Sequence, residues 1–270
     1  MTLEGATRLL AEAGVDNPRA DARLLLAHVL GVSRDQTLTA APTQEQRAQF
    51  DALVARRAKR EPFAYITGRK EFWSLDFAVG PGVLIPRPDT ETLIEEALRI
   101  VPGRGGALRI ADLGIGSGAI LIAALKEFPN ATGIGFDSSD AAFGYAAANA
   151  ARLIGGRAEI RLGDWDKAQG PFDLVLSNPP YIPSAEIESL EPGVARYEPR
   201  EALDGGTDGL EAYRALAGLL PGLLRPGGHA LLEIGLGQQN GVARLFPALE
   251  LLRIAPDLSG VPRCVILRKP

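Results

Sequence analysis

Asp112-Leu113-Gly114-Ile115-Gly116-Ser117-Gly118 decides the fold of this 270-residue chain. The stretch follows a short apolar run at 108–112 and precedes a helix-forming run at 118–128. Glycines between a strand and a helix let the backbone approach a ligand closely and aim its amide N–H groups at it. Working outward, the alternation repeats: strands at 131–137, 158–162 and 172–176, and a helix at 139–153. A helix at 209–224, a strand at 229–234, a helix near 238–247 and closing strands near 249–255 and 263–268 complete it. Seven strands alternating with helices imply a doubly wound, Rossmann-like α/β domain on a mostly parallel sheet.

The glycine spacing narrows the ligand. A pyrophosphate-binding loop reads G-x-G-x-x-G, whereas here the glycines alternate at Gly114, Gly116 and Gly118. That favours a cofactor without a pyrophosphate, such as S-adenosylmethionine, held by Gly114, Ile115, Gly116, Ser117 and Gly118. The structural alternative is a tight strand–helix turn that needs glycine. Asp137 ends the next strand, where a carboxylate can accept hydrogen bonds from two ribose hydroxyls; otherwise it caps a helix before Ser138-Ser139-Asp140. Trp165 can pack on an adenine ring while Asp164 takes an amino hydrogen, although a lone Trp also suits a core.

The second informative stretch is Asn178-Pro179-Pro180-Tyr181, after the apolar run Phe172–Leu176. Methyl transfer from a sulfonium is an in-line displacement that needs a lone pair on the acceptor. In an amide or an aromatic amine that lone pair is delocalised. The Asn178 side-chain carbonyl and the Pro179 backbone carbonyl can each accept one N–H, which draws the nitrogen toward tetrahedral geometry. Pro180 stiffens the turn and Tyr181 supplies a flat wall. Orientation and preorganised dipoles carry such a step without a strong base. The two stretches together imply a methyltransferase acting on an amide or aromatic amine.

Composition excludes other classes. No apolar run approaches the ~20 residues needed to span a bilayer, and the start Met1-Thr2-Leu3-Glu4-Gly5 lacks the form of a signal peptide. One cysteine, Cys264, rules out an internal disulfide, and the two histidines, His28 and His229, stand far apart, so no metal site is expected. These features suit a soluble cytoplasmic protein with one large core and a smaller domain. The net charge is −4, so no strong basic field covers the molecule. Arg56-Arg57-Ala58-Lys59-Arg60 is either a contact for an acidic partner or a solvated helix end suited to the helix dipole.

Residues 1–60 read as helices. Pro18 suits a first turn, Ala22, Leu25, Leu26, Val29 and Leu30 form one apolar face, and Gly31 supplies a stop. A second helix, Thr43–Arg60, turns Phe50, Leu53 and Val54 inward. Phe72, Leu75, Phe77, Val79, Val83 and Ile85, broken by Gly80-Pro81-Gly82, read as a hairpin, after which Asp89 is a candidate N-cap. The expected division is a helical domain at 1–70, a linking hairpin at 71–88 and the α/β domain at 89–270. Glu233 either lines the cleft or caps the next helix, His229 belongs to the turn after Pro226-Gly227-Gly228, and Cys264 is core.

The chain resembles the release-factor glutamine methyltransferases (the HemK/PrmC type) over nearly its full length. The resemblance rests on Leu84-Ile85-Pro86-Arg87-Pro88-Asp89-Thr90-Glu91, Asp112–Gly118, Gly163-Asp164-Trp165 and Asn178–Tyr181. It extends to Arg196-Tyr197-Glu198-Pro199-Arg200, Leu203-Asp204-Gly205-Gly206 with Asp208-Gly209, and Asp257-Leu258-Ser259-Gly260. The Arg-Pro-Asp-Thr-Glu and Tyr-Glu-Pro-Arg stretches are far more specific than the glycine loop. It implies methylation of the glutamine side-chain amide in the Gly-Gly-Gln motif of bacterial class I peptide-chain release factors. It further implies that Gly114 to Gly118, Asp137, Trp165 and Asn178 contact S-adenosylmethionine, that Asn178 to Tyr181 hold the glutamine, and that the N-terminal helices help dock the release factor. Two departures stand out: Ile115, where the family usually has Thr, and Gly144 within the segment 138–145.

Rival readings keep part of this. Adenine-amino methylation of DNA or RNA uses the same turn but calls for a basic face or recognition domain, and no stable nucleic-acid binding is expected here. A ribosomal-protein glutamine methyltransferase is closer, but lacks this Arg-Pro-Asp-Thr-Glu form. A non-catalytic binding module conflicts with the intact Asn178 and glycine loop, and a nicotinamide dehydrogenase with the glycine spacing.

Overall fold

The computed structural model describes residues 1–101 and 103–270. The chain divides into two compact units, one of residues 1–69 with 191–197, the other of 70–190 with 198–270.

The first unit holds α1 (Leu3–Glu12), α2 (Pro18–Leu30), α3 (Gln44–Ala58) and α4 (Phe63–Thr67). The Thr2 hydroxyl accepts from the Gly5 N–H, and Thr43 and Gln46 form a reciprocal capping box at the start of α3. α2 opens on Pro18 and closes on Gly31 in the left-handed conformation, φ 65°. Ala22, Leu25 and Leu26 pack with Ala6 and Leu10 of α1 and Phe50 and Val54 of α3, while Val29, Leu30 and Leu53 are only partly buried. The basic stretch ending α3 is used internally. Arg56 pairs with Glu61 at 2.5 Å, Arg57 with Asp21 at 2.7 Å and Arg60 with Glu191 at 2.9 Å. Segment 191–197 is further tied in by Tyr197, whose hydroxyl donates to the Lys59 carbonyl at 3.0 Å.

The chain continues through β1 (Arg69–Phe72), β2 (Leu75–Ala78), α5 (Glu91–Ile100), β3 (Arg109–Leu113), α6 (Ala119–Glu127), β4 (Thr132–Asp137), α7 (Asp140–Ile154), β5 (Ala158–Leu162) and β6 (Phe172–Ser177). After α8 (Pro192–Tyr197) come α9 (Glu211–Leu223), β7 (Leu224–Glu233), α10 (Gln239–Ala243), β8 (Glu250–Pro256) and β9 (Pro262–Arg268). Seven strands form one sheet in the order β5-β4-β3-β6-β7-β9-β8. β5 through β7 run parallel, and β9 runs antiparallel to both β7 and β8. The central strands are continuous apolar runs because helices cover both faces of a parallel sheet. Ile110–Leu113 and Leu174–Ser177 are buried throughout, and α6 is buried from Ala119 to Leu125.

From β3 the chain winds outward to β4 and β5, then returns to β6 on the other side of β3. At such a reversal a crevice opens at the carboxyl ends of the strands, the place where ligands bind in open α/β sheets. The β3–β6 register pairs Asp112 with Leu176, so Gly114 and Asn178 leave neighbouring strands at the same level. The buried Ser177 hydroxyl fastens the two ends by donating to the Leu113 carbonyl at 2.6 Å.

Three sequence readings are corrected. The hairpin turns at Trp73-Ser74 (φ 51° and 56°), not at Gly80-Pro81-Gly82, and Val79, Val83 and Ile85 are buried in an irregular segment. Trp73 is held there from a distance: its backbone N–H donates to Glu91 at 2.7 Å and its indole to Glu127 at 2.9 Å. Gly80 instead packs against α7, where a Cβ would overlap the Tyr145 hydroxyl. Asp89 does not cap α5; Thr90 occupies the N-cap position and Asp89 pairs with Arg263 at 3.3 Å. His229 lies inside β7, opposite Leu174 and Arg268, rather than in a turn.

Candidate active site

Gly114, Gly116 and Gly118 have φ of 83°, 54° and 85°, a left-handed run that side-chain-bearing residues rarely adopt. The loop is braced by β4. The Gly114 and Ile115 N–H groups both donate to the Phe136 carbonyl at 2.9 Å. Asp137 accepts from the Gly116 N–H through Oδ2 at 2.9 Å and from the Ser139 N–H through Oδ1 at 3.0 Å. Each oxygen retains a further acceptor site. Asn149, wholly buried on α7, donates to the Ser117 and Ala78 carbonyls at 2.9 Å each, tying the loop to β2. Beneath the loop Asp112 is buried, and burial holds its carboxyl well above the usual range against the opposing Leu121 N–H.

Above the loop lies a cavity of about 430 Å³, lined by Gly114, Ile115, Gly116, Ser117, Asp137, Trp165, Asn178 and Pro180. Leu84, Pro86, Arg87 and Thr90 line it from the Arg-Pro-Asp-Thr-Glu stretch, with Pro199, Glu201 and Ala202 from the segment beyond Glu198. Its size is that of a small-molecule site. A Cβ at Gly116 would meet no protein atom, so that stretch of backbone is uncovered by protein, and the Trp165 ring lies 3.6 Å from where a Gly114 Cβ would stand. A carboxylate, open loop backbone and an indole on one cavity fit the ribose, methionine and adenine parts of S-adenosylmethionine.

Gly118, Pro179 and Tyr181 are not among the lining residues. Gly118 permits close packing: a Cβ there would come within 2.9 Å of Ile122 and 3.4 Å of the Ala146 backbone. Tyr181 packs against the second unit's core, and its hydroxyl donates to Glu233 Oε1 at 3.3 Å. The Ile115 side chain fills the space that Gly135 leaves by lacking a Cβ.

The motifs spread along the sequence assemble around the Asn178–Tyr181 turn. Glu198, almost fully buried, accepts from the Ile85 N–H at 3.0 Å and pairs with Arg87, stapling Tyr-Glu-Pro-Arg to Arg-Pro-Asp-Thr-Glu. Arg263 joins Asp89 to Asp257 at 3.3 Å each. Gly205 packs so closely that a Cβ would lie 2.8 Å from the Tyr181 Cα. Gln238 donates to the Tyr181 carbonyl at 2.8 Å while accepting from the Gly235 N–H at 2.9 Å. The Asn178 Nδ2 donates to the Thr90 hydroxyl at 3.4 Å. Burial, above all, pushes the Glu233 carboxyl up to about 7, opposed by hydrogen bonding from Thr90, the charge of Arg263 and the Tyr181 hydroxyl. Burial likewise raises the Tyr181 phenol, and the Glu233 charge adds to it.

Sequence reasoning assigned no role to Thr90, Arg87, Glu198 or Gln238. The first three lie within the stretches that carried the family resemblance; for Gln238, the first of the three polar residues Gln238-Gln239-Asn240, the sequence holds no such signal.

A doubly wound sheet with this antiparallel edge, and a glycine loop facing an Asn-Pro-Pro-Tyr turn across its switch point, defines an S-adenosylmethionine-dependent methyltransferase. Residues 2–68 match the PrmC N-terminal domain family and residues 92–190 the methyltransferase small domain family. A release factor glutamine methyltransferase from Rhodospirillum rubrum is 49% identical over 272 residues, spanning 98% of this chain and 83% of its own length. One from Caulobacter vibrioides is 45% identical over 265 residues, spanning 95% and 91%. The crystal structure of a methyltransferase from Pyrococcus furiosus superimposes with a TM-score of 0.53 at 18% identity, over 80% of this chain and 98% of that one, a likeness of fold. The chain belongs to the release factor glutamine methyltransferase family and is a protein-glutamine N-methyltransferase. Among the described residues no helix is long and apolar enough to cross a membrane, and no cluster of His, Cys, Asp or Glu is arranged to hold a metal.

Proposed function

We propose that this enzyme methylates the side-chain amide nitrogen of the glutamine in the Gly-Gly-Gln motif of bacterial class I release factors. The observation that carries this reading is Asn178, on the same cavity as Asp137 and Trp165 and directly beside the glycine loop. S-adenosylmethionine supplies an electrophilic methyl group. The loop Gly114–Ser117 would cradle the methionine part through its backbone, with Gly118 holding the turn against α7. Asp137 takes the ribose hydroxyls on its remaining acceptor sites, and Trp165 covers the adenine.

The chain's own work is to hold the glutamine. Asn178 Oδ1 and the Pro179 carbonyl each accept one amide N–H, so the nitrogen lone pair is turned toward the methyl. As the nitrogen takes the methyl, the methyl carbon–sulfur bond breaks and S-adenosylhomocysteine leaves. The alkylated nitrogen, now acidic, gives up one proton to solvent without a dedicated base. Most of the rate gain is orientation and fixed dipoles, which are worth more in a cavity from which water is excluded. Pro180 keeps the turn rigid, and Tyr181, anchored on Glu233 and Gln238, supports it from behind. The helices of residues 1–69 help dock the release factor, and a substrate of translation termination carries a cytoplasmic location with it. A net charge of −4 gives little support to an adenine-amino methyltransferase on nucleic acid.

Mass spectrometry of a release factor incubated with the enzyme and S-adenosylmethionine, with duplex DNA as a parallel acceptor, tests the reading. One added methyl on the Gly-Gly-Gln glutamine is expected. Methyladenine in the DNA with an unmodified protein would overturn the substrate. Asn178→Ala is expected to abolish turnover while cofactor affinity, measured by calorimetry, stays within about tenfold, because it removes an orienting acceptor and not the glycine loop. A fully active variant would sink the mechanism.

A further inference from the structure

Thr90 stands at the N-cap of α5, where a threonine hydroxyl ordinarily accepts a backbone N–H of its own helix. It makes no such bond. The residue is 4% exposed, and its hydroxyl accepts from the Asn178 Nδ2 at 3.4 Å, with the Glu233 carboxyl, which Thr90 acts to keep acidic, beside it. Glu233 is itself 1% exposed. Burying a hydroxyl is unfavourable unless it is paired, and here the partner comes from a distant segment of the chain.

The direction of this bond matters. A primary amide presents an acceptor on one side and donors on the other, and nothing in its shape distinguishes the two. The proposed reaction needs Asn178 Oδ1 toward the substrate amide, since an inverted side chain would oppose N–H to N–H. The Thr90 oxygen accepts from Asn178 Nδ2, which places Oδ1 on the opposite side of the amide. The carbonyl of Asn178 is then free for the glutamine.

We propose that Thr90 is a positioning residue that fixes the Asn178 amide with its carbonyl oxygen turned to the substrate nitrogen. The inference rests on the proposed glutamine methylation. Thr90→Val keeps the shape and removes the hydroxyl; Thr90→Ser keeps the hydroxyl and removes the methyl. In steady-state methylation of a release factor, Thr90→Val is expected to lower kcat at least tenfold. Its KM for the release factor and its S-adenosylmethionine Kd by calorimetry should stay within about threefold of wild type. Thr90→Ser should stay within threefold in all three quantities. A packing role would show the opposite order, with Thr90→Ser the weaker enzyme, and would overturn the inference, as would a Thr90→Val enzyme of normal kcat. If the wild-type enzyme leaves the release factor unmethylated, the substrate reading fails and the inference falls with it. An active wild type with an equally active Thr90→Val overturns the inference alone.

Discussion

At Glu233, which ends β7, burial raises the carboxyl from 4.5 to about 7, and the hydrogen bonding of Thr90 and Tyr181 and the charge of Arg263 offset only part of that. Between about pH 4.5 and 7 the native protein therefore holds a proton that the unfolded chain has released. Stability falls as pH rises through this window, and the full loss is present above pH 7. Two and a half units at about 1.4 kcal/mol each put it at roughly 3 kcal/mol. Glu233→Gln removes the titration. In urea unfolding it is expected to be more stable than wild type at pH 8, by up to about 3 kcal/mol less the value of a weakened hydrogen bond, with the gap closing toward pH 5. A variant less stable at pH 8 would show that the charge is well compensated. Ile115 shows the converse at the same scale. Its apolar side chain is accommodated by Gly135 on the neighbouring strand, where any side chain would collide with it.

Among elements, α7 offers a clean measurement. Gly144 is exposed, helical and has no atom within 4 Å of a Cβ placed on it, so Gly144→Ala gains helix propensity without strain or clash. About 1 kcal/mol, or a rise of roughly 2–3 °C in apparent Tm, is expected from a thermal scan with activity unchanged. A fall would mean that α7 needs flexibility there. The helices and strands of both units were readable because their signals are local: apolar runs of strand length, glycines after β3 and Pro18 at the start of α2. The hairpin was misread because its signal is not local. Gly80-Pro81-Gly82 is the stronger turn sequence, yet Trp73-Ser74 turns because Glu91 and Glu127, far along the chain, hold the backbone and indole of Trp73. The candidate site divides the same way. The two loops announce themselves by composition, while the staple between Arg87 and Glu198, 111 residues apart, exists only once the sheet has formed. The same holds for the Gln238 brace on Tyr181.

For the molecule as a whole, the informative fact is that each unit has its own core. The first buries Leu10, Leu25, Phe50 and Val54 among its helices, and the second buries Phe136, Phe172 and Tyr213 against the sheet. The first unit also recruits 191–197 from the far side of the Asn-Pro-Pro-Tyr turn, through Arg60–Glu191 and Tyr197–Lys59. No local pattern reveals contacts between residues more than a hundred positions apart, so the sequence reading stopped that domain at residue 70. Every residue lining the cavity above the glycine loop, the proposed cofactor site, belongs to the second unit. A ligand that binds only the native state stabilises what must unfold to release it, by about 2.7 kcal/mol at a hundred times its Kd. Hydrogen exchange followed by mass spectrometry, with S-adenosylhomocysteine at that ratio, is therefore expected to slow the core amides of β3, β4 and β6 by roughly a hundredfold. The amides of α2 and α3 should be left near their original rates, because opening the first unit need not release the ligand. Equal slowing in α2 and α3 would show instead that both cores unfold in one cooperative step.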